Sequence, residues 1–312
     1  MTGLFIRLGG GMMTIQIIGG GSVGLLMASF LAEKGFAVNI ISTRAKQRER
    51  INTHGLIREN IGGEKQKFTV TAADSISKDA DLVIVTVKYN GLAQLYPLLA
   101  ELPVSIPLLF LQNGLAHYEE AMRLPQQHIA FGSAQFGAQR VNDTTVIHRG
   151  IGVLKVAAGR GEIEGFPEVL SLDSEMMPVF LEKDAETMLL EKALLNCFIN
   201  PLTAILNIKN GELLTNPYAY SLLKVLYAEL MAAFPHMRKR FPFDGVKNLC
   251  DKTAANTSSM LADRLAGRKT EVDTIVGAII KKAAANDRQL PTLHTLYNLI
   301  KAAEQLESGD RM

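Results

Sequence analysis

One apolar segment in the second half of the chain carries a regularly spaced set of polar side chains. In the stretch LLEKALLNCFINPLTAIL, Lys192, Asn196 and Asn200 recur at every fourth position among mostly apolar residues. A helix that is apolar on almost every side is buried, so its single polar stripe must face partners or a wet cleft. The spacing predicts one wall of a binding site. In the alternative interpretation, the lysine pairs with a buried carboxylate and the asparagines cap neighbouring elements.

Lys192 is the group of this stripe that could move a proton. Desolvation lowers the pKa of a lysine from about 10.4 toward the working pH, which suits a general acid, whereas a partner carboxylate opposes that shift. The segment NTSSMLADRLAGRKTEVDTIVGA offers polar partners further along the chain: Asn256, Ser258, Ser259 and Glu271. In the alternative interpretation, Glu271 is an acid in the first turn of a helix capped by Thr270. Pro201 predicts a kink or break in the Lys192 helix.

A glycine cluster near the start of the chain suggests a second site. In IQIIGGGSVGLLMASFLAEKG, Gly19, Gly21 and Gly24 have the spacing G-x-G-x-x-G, directly after an apolar run and at the start of a helical pattern. In this context the first glycine makes a tight turn, the second lets the backbone approach a pyrophosphate, and the third lets helix and strand pack closely. The pattern predicts dinucleotide binding. A glycine-rich turn with nothing bound is the alternative.

The residues after the next apolar run indicate which dinucleotide. The sequence NIISTRAKQR has no acidic residue to bind an unmodified ribose, whereas Ser42, Thr43 and Arg44 offer donors and positive charge for a 2′-phosphate. This favours NADP(H) over NAD, unless Arg44 is simply a solvated loop cation. Two further strand ends, in VTVKYN and FLQNGL, direct Lys88 and Asn113 to the same crevice. The alternatives are a surface lysine and an ordinary Asn-Gly turn.

The elements that must position these residues divide the chain in two. Apolar runs alternate with helical patterns in the first half, and we expect strands at Ile15 to Ile18, Val38 to Ile41, Leu82 to Val87, Leu108 to Leu111 and Ile129 to Phe131. Such alternation indicates a parallel sheet covered on both faces. The stretch TTVIHRGIGVLKVAAGR predicts a hairpin or small antiparallel addition. We therefore predict an α/β protein, with an N-terminal Rossmann-like parallel-sheet domain over residues 13–180 and an all-helical C-terminal domain over residues 181–312.

Composition narrows the class of partner. A length of 312 residues favours two domains, and a formal charge of +2 gives no electrostatic footprint for nucleic acid. Two cysteines, Cys197 and Cys250, indicate neither a disulfide framework nor a metal site, so a cytoplasmic location is expected. The stretch MTGLFIRLGGGM, residues 1–12, is expected to be a leader outside the fold, and no membrane partner is expected. Apolar patterns on the C-terminal helices permit a homodimer without requiring one.

Taken together, these motifs resemble the ketopantoate reductase family over nearly the whole chain after residue 12. The resemblance rests on GGGSVG, VTVKYN, LQNG, EKALLNCFINPLTAI, NGELL and SSMLADRLAGRKTEVD, which occur in the family's order and approximate spacing. It implies NADPH-dependent reduction of a small-molecule 2-keto acid to a 2-hydroxy acid, on the route to pantothenate and coenzyme A.

The resemblance also implies roles for individual residues. Lys192 matches the proton donor, and Glu271 matches the acid that helps hold substrate and lysine. Matching the substrate contacts are Asn196, Asn200, Asn256 and Ser259; matching the cofactor contacts are Lys88, Asn113 and the three glycines. The chain departs from the family's pattern at Ala262, Asp263, Val276 and Gly277, which leaves substrate identity and pocket polarity open. The stretch Gly132 to Arg140 receives no assignment.

Two other functions remain open from the sequence. A related NADP-dependent dehydrogenase could act on another 2-keto acid or a 3-hydroxy acid, and a substrate panel separates the two. A non-catalytic NADPH-binding sensor is the alternative from another class. The set of Lys192, Asn196 and Glu271 argues against a sensor, because a sensor has no need of a proton donor.

Overall fold

The structure, a computed structural model, describes residues 12–309. The expected leader therefore lies outside the described residues except for Met12, which is exposed. The described residues form two compact units. The first comprises residues 12–112 and 117–188, and the second comprises residues 113–116 and 189–309. The expected boundary at residue 180 falls inside a strand, and the observed division lies within a helix at Met188.

The strands of the described residues all lie in the first unit. They are β1 (Thr14–Ile18), β2 (Ala37–Ile41), β3 (Leu56–Glu59), β4 (Lys65–Phe68), β5 (Thr71–Ala73), β6 (Leu82–Val85), β7 (Leu108–Phe110), β8 (Ile129–Ala134), β9 (Gly137–Arg140), β10 (Thr145–Gly150), β11 (Leu154–Arg160) and β12 (Val179–Leu181). All five expected strands are present, with β6 and β7 ending earlier than expected and β8 ending later.

The main sheet has eight strands in the order β12-β11-β8-β7-β6-β1-β2-β5. Neighbours from β5 to β8 are parallel, and β11 joins β8 antiparallel. Burial on both faces explains the continuous apolar sequence of β6, whose four residues are all buried. The chain order reverses between β1 and β6, and ligands of open α/β sheets bind beyond the carboxyl ends of strands at such a switch point. The topology therefore places a binding crevice beside Ile18 and Val85.

A second sheet, in the order β4-β3-β10-β9, was not expected. Helix α1 (Ser22–Glu33) lies between the two sheets and contacts β1 and β2 as well as β9 and β10. Its residues from Gly24 to Leu31 are all buried, which explains why the helix is apolar throughout. Of the two expected forms, a hairpin of β10 with β11 is wrong, because β10 pairs with β9 and β3. The antiparallel addition is present, because β11 joins β8 antiparallel and also pairs with β12.

The other helices of the first unit are short. They are α2 (Ala45–His54), α3 (Leu92–Ala100), α4 (Tyr118–Ala121) and α5 (Pro167–Leu170). The second unit is helical and contains most of α6 (Ala185–Leu206), together with α7 (Glu212–Thr215), α8 (Pro217–Ala233), α9 (Phe243–Lys252), α10 (Ser259–Leu265), α11 (Ala278–Ala284) and α12 (Pro291–Gly309). Helix α6 begins in the first unit and continues in the second. Short 3-10 turns occur at Tyr89–Gly91, Ile163–Gly165 and Pro235–Met237.

Helix α6 carries the polar stripe, and most of its residues belong to the second unit. It is long and apolar enough to cross a membrane, but 67% of its most apolar window is buried inside the protein, as in a core helix. The helix continues through Pro201 to Leu206, so the expected break is absent from this helix. Thr203, two residues later, directs its hydroxyl at the carbonyl groups of Ile199 and Asn200 at 3.0 and 3.1 Å.

Candidate active site

The glycine turn lies at the switch point of the sheet. Gly19 has φ +118°, and its N–H donates to the Ile41 carbonyl of β2 at 2.9 Å. Thr86, directly after β6, donates its hydroxyl to the carbonyl oxygens of Gly19 and Ile18 at 2.9 and 3.1 Å. A Cβ on Gly19 would lie 2.8 Å from this hydroxyl. The positive φ and the close approach of Thr86 both require glycine.

Gly21 and Gly24 differ in what surrounds them. A Cβ on Gly24 would lie 2.0 Å from the Gly19 carbonyl oxygen, so glycine is required there for the turn and α1 to pack. A Cβ on Gly21 would meet nothing within 4 Å, and the backbone of Gly21, with φ −84° and ψ −170°, is open to any residue. Its position at the N-terminus of α1 exposes the backbone amides that bind phosphate groups in such motifs. The space at Gly21 therefore fits a ligand.

The residues after β2 are organised by a glutamine that sequence reasoning did not single out. Gln47 of α2 is fully buried, and its Nε2 donates to the carbonyl oxygens of Gly20 and Asp143 at 2.9 and 3.1 Å. Its Oε1 accepts from the Ser42 hydroxyl at 2.8 Å and from Arg44 Nη2 at 2.5 Å. The sequence feature that could have revealed Gln47 is its spacing from Ile51, which places both residues on one face of the helix. They are the buried residues of an otherwise polar helix.

A cavity of about 710 Å³ in the first unit brings several of the expected cofactor residues together. It is lined by Gly19 and Gly21 of the turn, by Ser42, Thr43 and Arg44 after β2, and by Thr86 and Lys88 after β6. Its volume lies in the range of small-molecule and cofactor sites. Ser42 is buried and its one hydroxyl hydrogen is committed to Gln47, whereas Thr43, Arg44 and Lys88 are exposed.

The second unit contains the lysine and the carboxylate. Lys192 is half-buried on α6, and Glu271 is half-buried just before the helix that leads into α11. Desolvation lowers the pKa of Lys192 to about 8, and the negative charge of Glu271 opposes that shift. At pH 7 a lysine with this pKa is still mostly protonated, yet it can release its proton far more readily than a surface lysine. This is the behaviour of a general acid.

Asn113 belongs to the second unit, although the sequence assigns it to the nucleotide-binding domain. Its Nδ2 donates to Glu271 Oε2 at 3.0 Å. Gly114 has φ +87° and cannot accommodate a Cβ, because that atom would lie 2.2 Å from the Thr274 carbonyl oxygen. The same oxygen accepts the Leu115 N–H at 3.2 Å. The Asn-Gly turn thus holds Asn113 against the carboxylate, rather than being merely a turn.

The segment that carries Glu271 is anchored by α12. Glu304 accepts from both the N–H and the hydroxyl of Thr270, at 2.8 and 2.7 Å. Asp273 accepts from the Tyr297 hydroxyl at 2.7 Å and from Lys301 Nζ at 3.0 Å. Residues Asp273–Gly277 form a π-helical segment, a rare conformation that occurs frequently at functional sites. Nothing in the sequence pattern distinguishes this segment from an α-helix.

The remaining expected substrate residues fall into separate groups. Asn200 is buried and its Nδ2 donates to the Ser259 hydroxyl at 3.4 Å, which joins α6 to the start of α10. Asn196 is half-buried one turn before Asn200 on the same stripe. Asn256 is exposed, and the described contacts join its backbone, not its side chain, to Asn210. Ser258 caps α10 and bonds Thr203 at 2.8 Å, so it has a structural role.

Comparison with known proteins gives one consistent family. The model of ketopantoate reductase PanE/ApbA matches residues 15–161, and the model of the C-terminal part of ketopantoate reductase PanE/ApbA matches residues 184–304. A 2-dehydropantoate 2-reductase of Bacillus subtilis (strain 168) is 36% identical over 295 residues, which cover 94% of this chain and 98% of that protein.

Solved structures agree with this assignment. A crystal structure described as a probable 2-dehydropantoate 2-reductase from Bacillus subtilis superposes with a TM-score of 0.86 and 34% identity, covering 94% of this chain and all of the other. D-mandelate dehydrogenase, solved with NADH and anilino(oxo)acetate, shares the fold with a TM-score of 0.83 and 22% identity over 95% of this chain and 99% of its own. The glycine turn, the lysine helix and the carboxylate segment described above all lie within the matched ranges, and the chain belongs to the ketopantoate reductase family.

Proposed function

We propose that this protein catalyses the NADPH-dependent reduction of 2-dehydropantoate to pantoate. The observation that carries the proposal is the half-buried position of Lys192 on the polar stripe of α6, where desolvation lowers its pKa to about 8 and the charge of Glu271 opposes that shift. A non-catalytic binding protein has no need of a lysine in this state. The product belongs to the route to pantothenate and coenzyme A, and we expect the reaction to take place in the cytoplasm.

The residues of the first unit fit a nicotinamide dinucleotide with a 2′-phosphate. Gly21 leaves room for a pyrophosphate at the N-terminus of α1, and Thr43, Arg44 and Lys88 line the same cavity with donors and positive charge. No carboxylate follows β2 directly to bind an unmodified ribose. This set of donors supports NADP(H) as the cofactor. Ser42 contributes indirectly, because its hydroxyl holds Gln47.

When bound, NADPH supplies a hydride to the keto carbon of the substrate. The ammonium group of Lys192 stabilises the negative charge that develops on the carbonyl oxygen and then transfers a proton from Nζ to that oxygen. Glu271 keeps Lys192 protonated at neutral pH, because its charge raises the lysine pKa against desolvation. Asn113 fixes the orientation of Glu271 through the hydrogen bond at 3.0 Å.

The polar stripe of α6 is proposed to bind the substrate. Asn196 and Asn200 present amide groups on the face of Lys192, and Ser259 meets Asn200 from α10. Amide and hydroxyl donors suit the carboxylate and hydroxyl groups of a 2-keto acid of this kind. Asn256 completes the expected set from the loop before α10. Asp263, where the chain departs from the family pattern, accepts a hydrogen bond from Arg268 Nε at 2.8 Å.

The test is the loss of NADPH absorbance on addition of 2-dehydropantoate. Pyruvate and 2-ketoisovalerate serve as competing substrates, NADH as the competing cofactor, and a reaction without substrate as the control. Rapid oxidation that depends on 2-dehydropantoate and NADPH is expected. Tight NADPH binding without turnover of any substrate would contradict the proposed reaction. Binding of NADPH and NADH to the Arg44→Ala variant tests the cofactor separately, and a loss confined to NADPH is expected.

A further inference from the structure

Three arginines surround one carboxylate at the edge of the nucleotide cavity. Asp143 lies in the turn between β9 and β10 of the second sheet, with its side chain 18% exposed. Its Oδ1 lies 3.0 Å from Arg44 Nη1 and 3.7 Å from Arg140 Nη1, and its Oδ2 lies 3.3 Å from Arg50 Nη1. The cluster is therefore positively charged overall, and Arg44 and Arg140 alone exceed the charge of Asp143 by one. A net positive charge at this place suits an anionic ligand group such as a phosphate monoester.

Two of these arginines face the cavity. Arg44 and Arg140 both line it together with the glycine turn, whereas Arg50 is absent from the described lining residues. Desolvation and then the positive charge of Arg140 lower the pKa of Arg44, and Asp143 opposes them. Two cations that raise each other's energy in this way would be stabilised by an anion bound between them.

Arg44 alone has few donors left for a phosphate. Its Nη1 bonds Asp143, and its Nη2 bonds both the Gly20 carbonyl oxygen and Gln47. The contact of Arg140 with Asp143, at 3.7 Å, lies beyond hydrogen-bond range and consumes none of its donors. Arg140 is therefore better placed to donate to a new ligand.

Gln47 fixes the position of the β9–β10 turn relative to the rest of the cavity. Its side chain bonds the Asp143 carbonyl oxygen, the Gly20 carbonyl oxygen, the Ser42 hydroxyl and Arg44. With both donors and two acceptor positions in use, the orientation of this buried amide is determined. The turn that carries Asp143 is thus held to the glycine turn and to the loop after β2.

We propose that Arg140 is the second guanidinium of the 2′-phosphate site and that Asp143 positions Arg44 and Arg140 around it. This inference rests on the proposed use of NADP(H) and adds residues of the second sheet and its β9–β10 turn, to which sequence analysis assigned no role. Arg140 then determines the preference for NADPH over NADH together with Arg44. A ligand without the 2′-phosphate gains nothing from Arg140.

The experiment measures binding directly, by isothermal titration calorimetry with NADPH and with NADH. Arg140→Gln is expected to weaken NADPH binding at least tenfold and to leave NADH binding within twofold. Arg140→Lys should recover part of the loss, because it restores the charge without the planar donor set. Arg50→Gln is the matched control, since Arg50 contacts the same carboxylate from outside the cavity lining, and its NADPH affinity should stay within twofold.

Different outcomes separate this inference from the proposed function. Equal affinity of the unaltered protein for NADPH and NADH would overturn the proposed cofactor and the inference with it. A preference for NADPH that survives Arg140→Gln would overturn the inference alone. An equal loss of NADPH affinity in Arg50→Gln would also overturn the inference. The loss would then follow from removing any positive charge near Asp143 and not from Arg140 in particular. Competition by 2′,5′-ADP against 5′-ADP gives a second readout, and thermal unfolding verifies that each variant is folded.

Discussion

The amide of Asn113 donates a 3.0 Å hydrogen bond to the carboxylate of Glu271, which lies 158 positions later in the chain. The same carboxylate acts on the pKa of Lys192. The three side chains are therefore linked: the neutral amide donates to the anion, and the charge of the anion raises the pKa of the half-buried lysine against desolvation. The family resemblance matches Asn113 to a cofactor contact, and its observed hydrogen bond joins it to Glu271.

Replacement of Asn113 tests this arrangement. Asn113→Ala removes a hydrogen bond to a charged group, which contributes about 1.5–3 kcal/mol, so we expect kcat/KM for the keto acid to fall at least tenfold. Steady-state kinetics on Asn113→Ala, Glu271→Gln and the double variant measure the coupling between the two positions. The same Asn113 substitution should cost less in the Glu271→Gln background. Fully additive effects would mean that Asn113 acts elsewhere.

The rate of reduction should depend on the protonation of Lys192. The lysine pKa lies at about 8, and only the protonated form is a proton donor, so kcat/KM is expected to fall above pH 8 and approach a tenfold loss per pH unit. A pH profile of the Glu271→Gln variant provides the control. Its falling limb should move to lower pH, because the charge that raises the lysine pKa is gone. A rate that stays flat to about pH 9.5 would contradict the assignment of Lys192.

Removal of Lys192 should abolish most of the chemistry without touching nucleotide binding. General acid catalysis contributes about 10²–10⁴-fold, so Lys192→Ala should lower kcat by at least about 10²-fold at neutral pH. NADPH affinity, measured by calorimetry, should stay within about threefold, because the cavity residues are unchanged. Lys281→Ala, at an exposed lysine of α11, is the matched control and should retain full activity. Turnover of Lys192→Ala within about tenfold of the original would refute the role.

Alanine substitutions at two glycines of the turn should affect different properties. Gly21→Ala should weaken NADPH binding, and Gly24→Ala should lower stability. Gly21→Ala adds a Cβ that meets nothing within 4 Å of the protein, so we expect the melting temperature to stay within about 2 °C and NADPH affinity to fall about tenfold or more. Gly24→Ala places a Cβ 2.0 Å from the Gly19 carbonyl oxygen, and overpacking of this kind costs about 1–3 kcal/mol. Thermal unfolding should therefore detect Gly24→Ala, whereas nucleotide titration should detect Gly21→Ala. Unchanged NADPH binding in Gly21→Ala would argue against a pyrophosphate at this turn.

Much of the parallel sheet and of the helical unit could be predicted from periodicity. Continuous apolar runs such as Leu82 to Val85 have one physical cause, burial on both faces, and they were found as strands. The second sheet was missed because strands such as Lys65–Phe68, with two exposed and two half-buried residues, have no continuous apolar run. Adjacent strands β10 and β11 read as a hairpin, yet they pair in different sheets, since pairing depends on partners distant in sequence.

Residues of the candidate site could be predicted from the sequence only where they belong to one local pattern. The stripe of Lys192, Asn196 and Asn200 stands out because its apolar surroundings make polar residues costly. The contact of Asn113 with Glu271 joins residues far apart in sequence and so has no local pattern. The only sequence feature that indicates Gln47 is its spacing from Ile51 on a polar helix. Pro201 predicted a kink or a break, and the break is wrong because the helix continues through Pro201 to Leu206.

The membership of residues 113–116 in the second unit has a consequence for synthesis on the ribosome. This short segment is made early, but Glu271, which accepts the hydrogen bond of Asn113, lies 158 positions later. The sheet of the first unit is made before Glu271, so the carboxylate can join Asn113 only after synthesis has passed the whole sheet. A chain that ends before Glu271 keeps Asn113 and Lys192 but has no carboxylate to accept from the amide or to raise the lysine pKa.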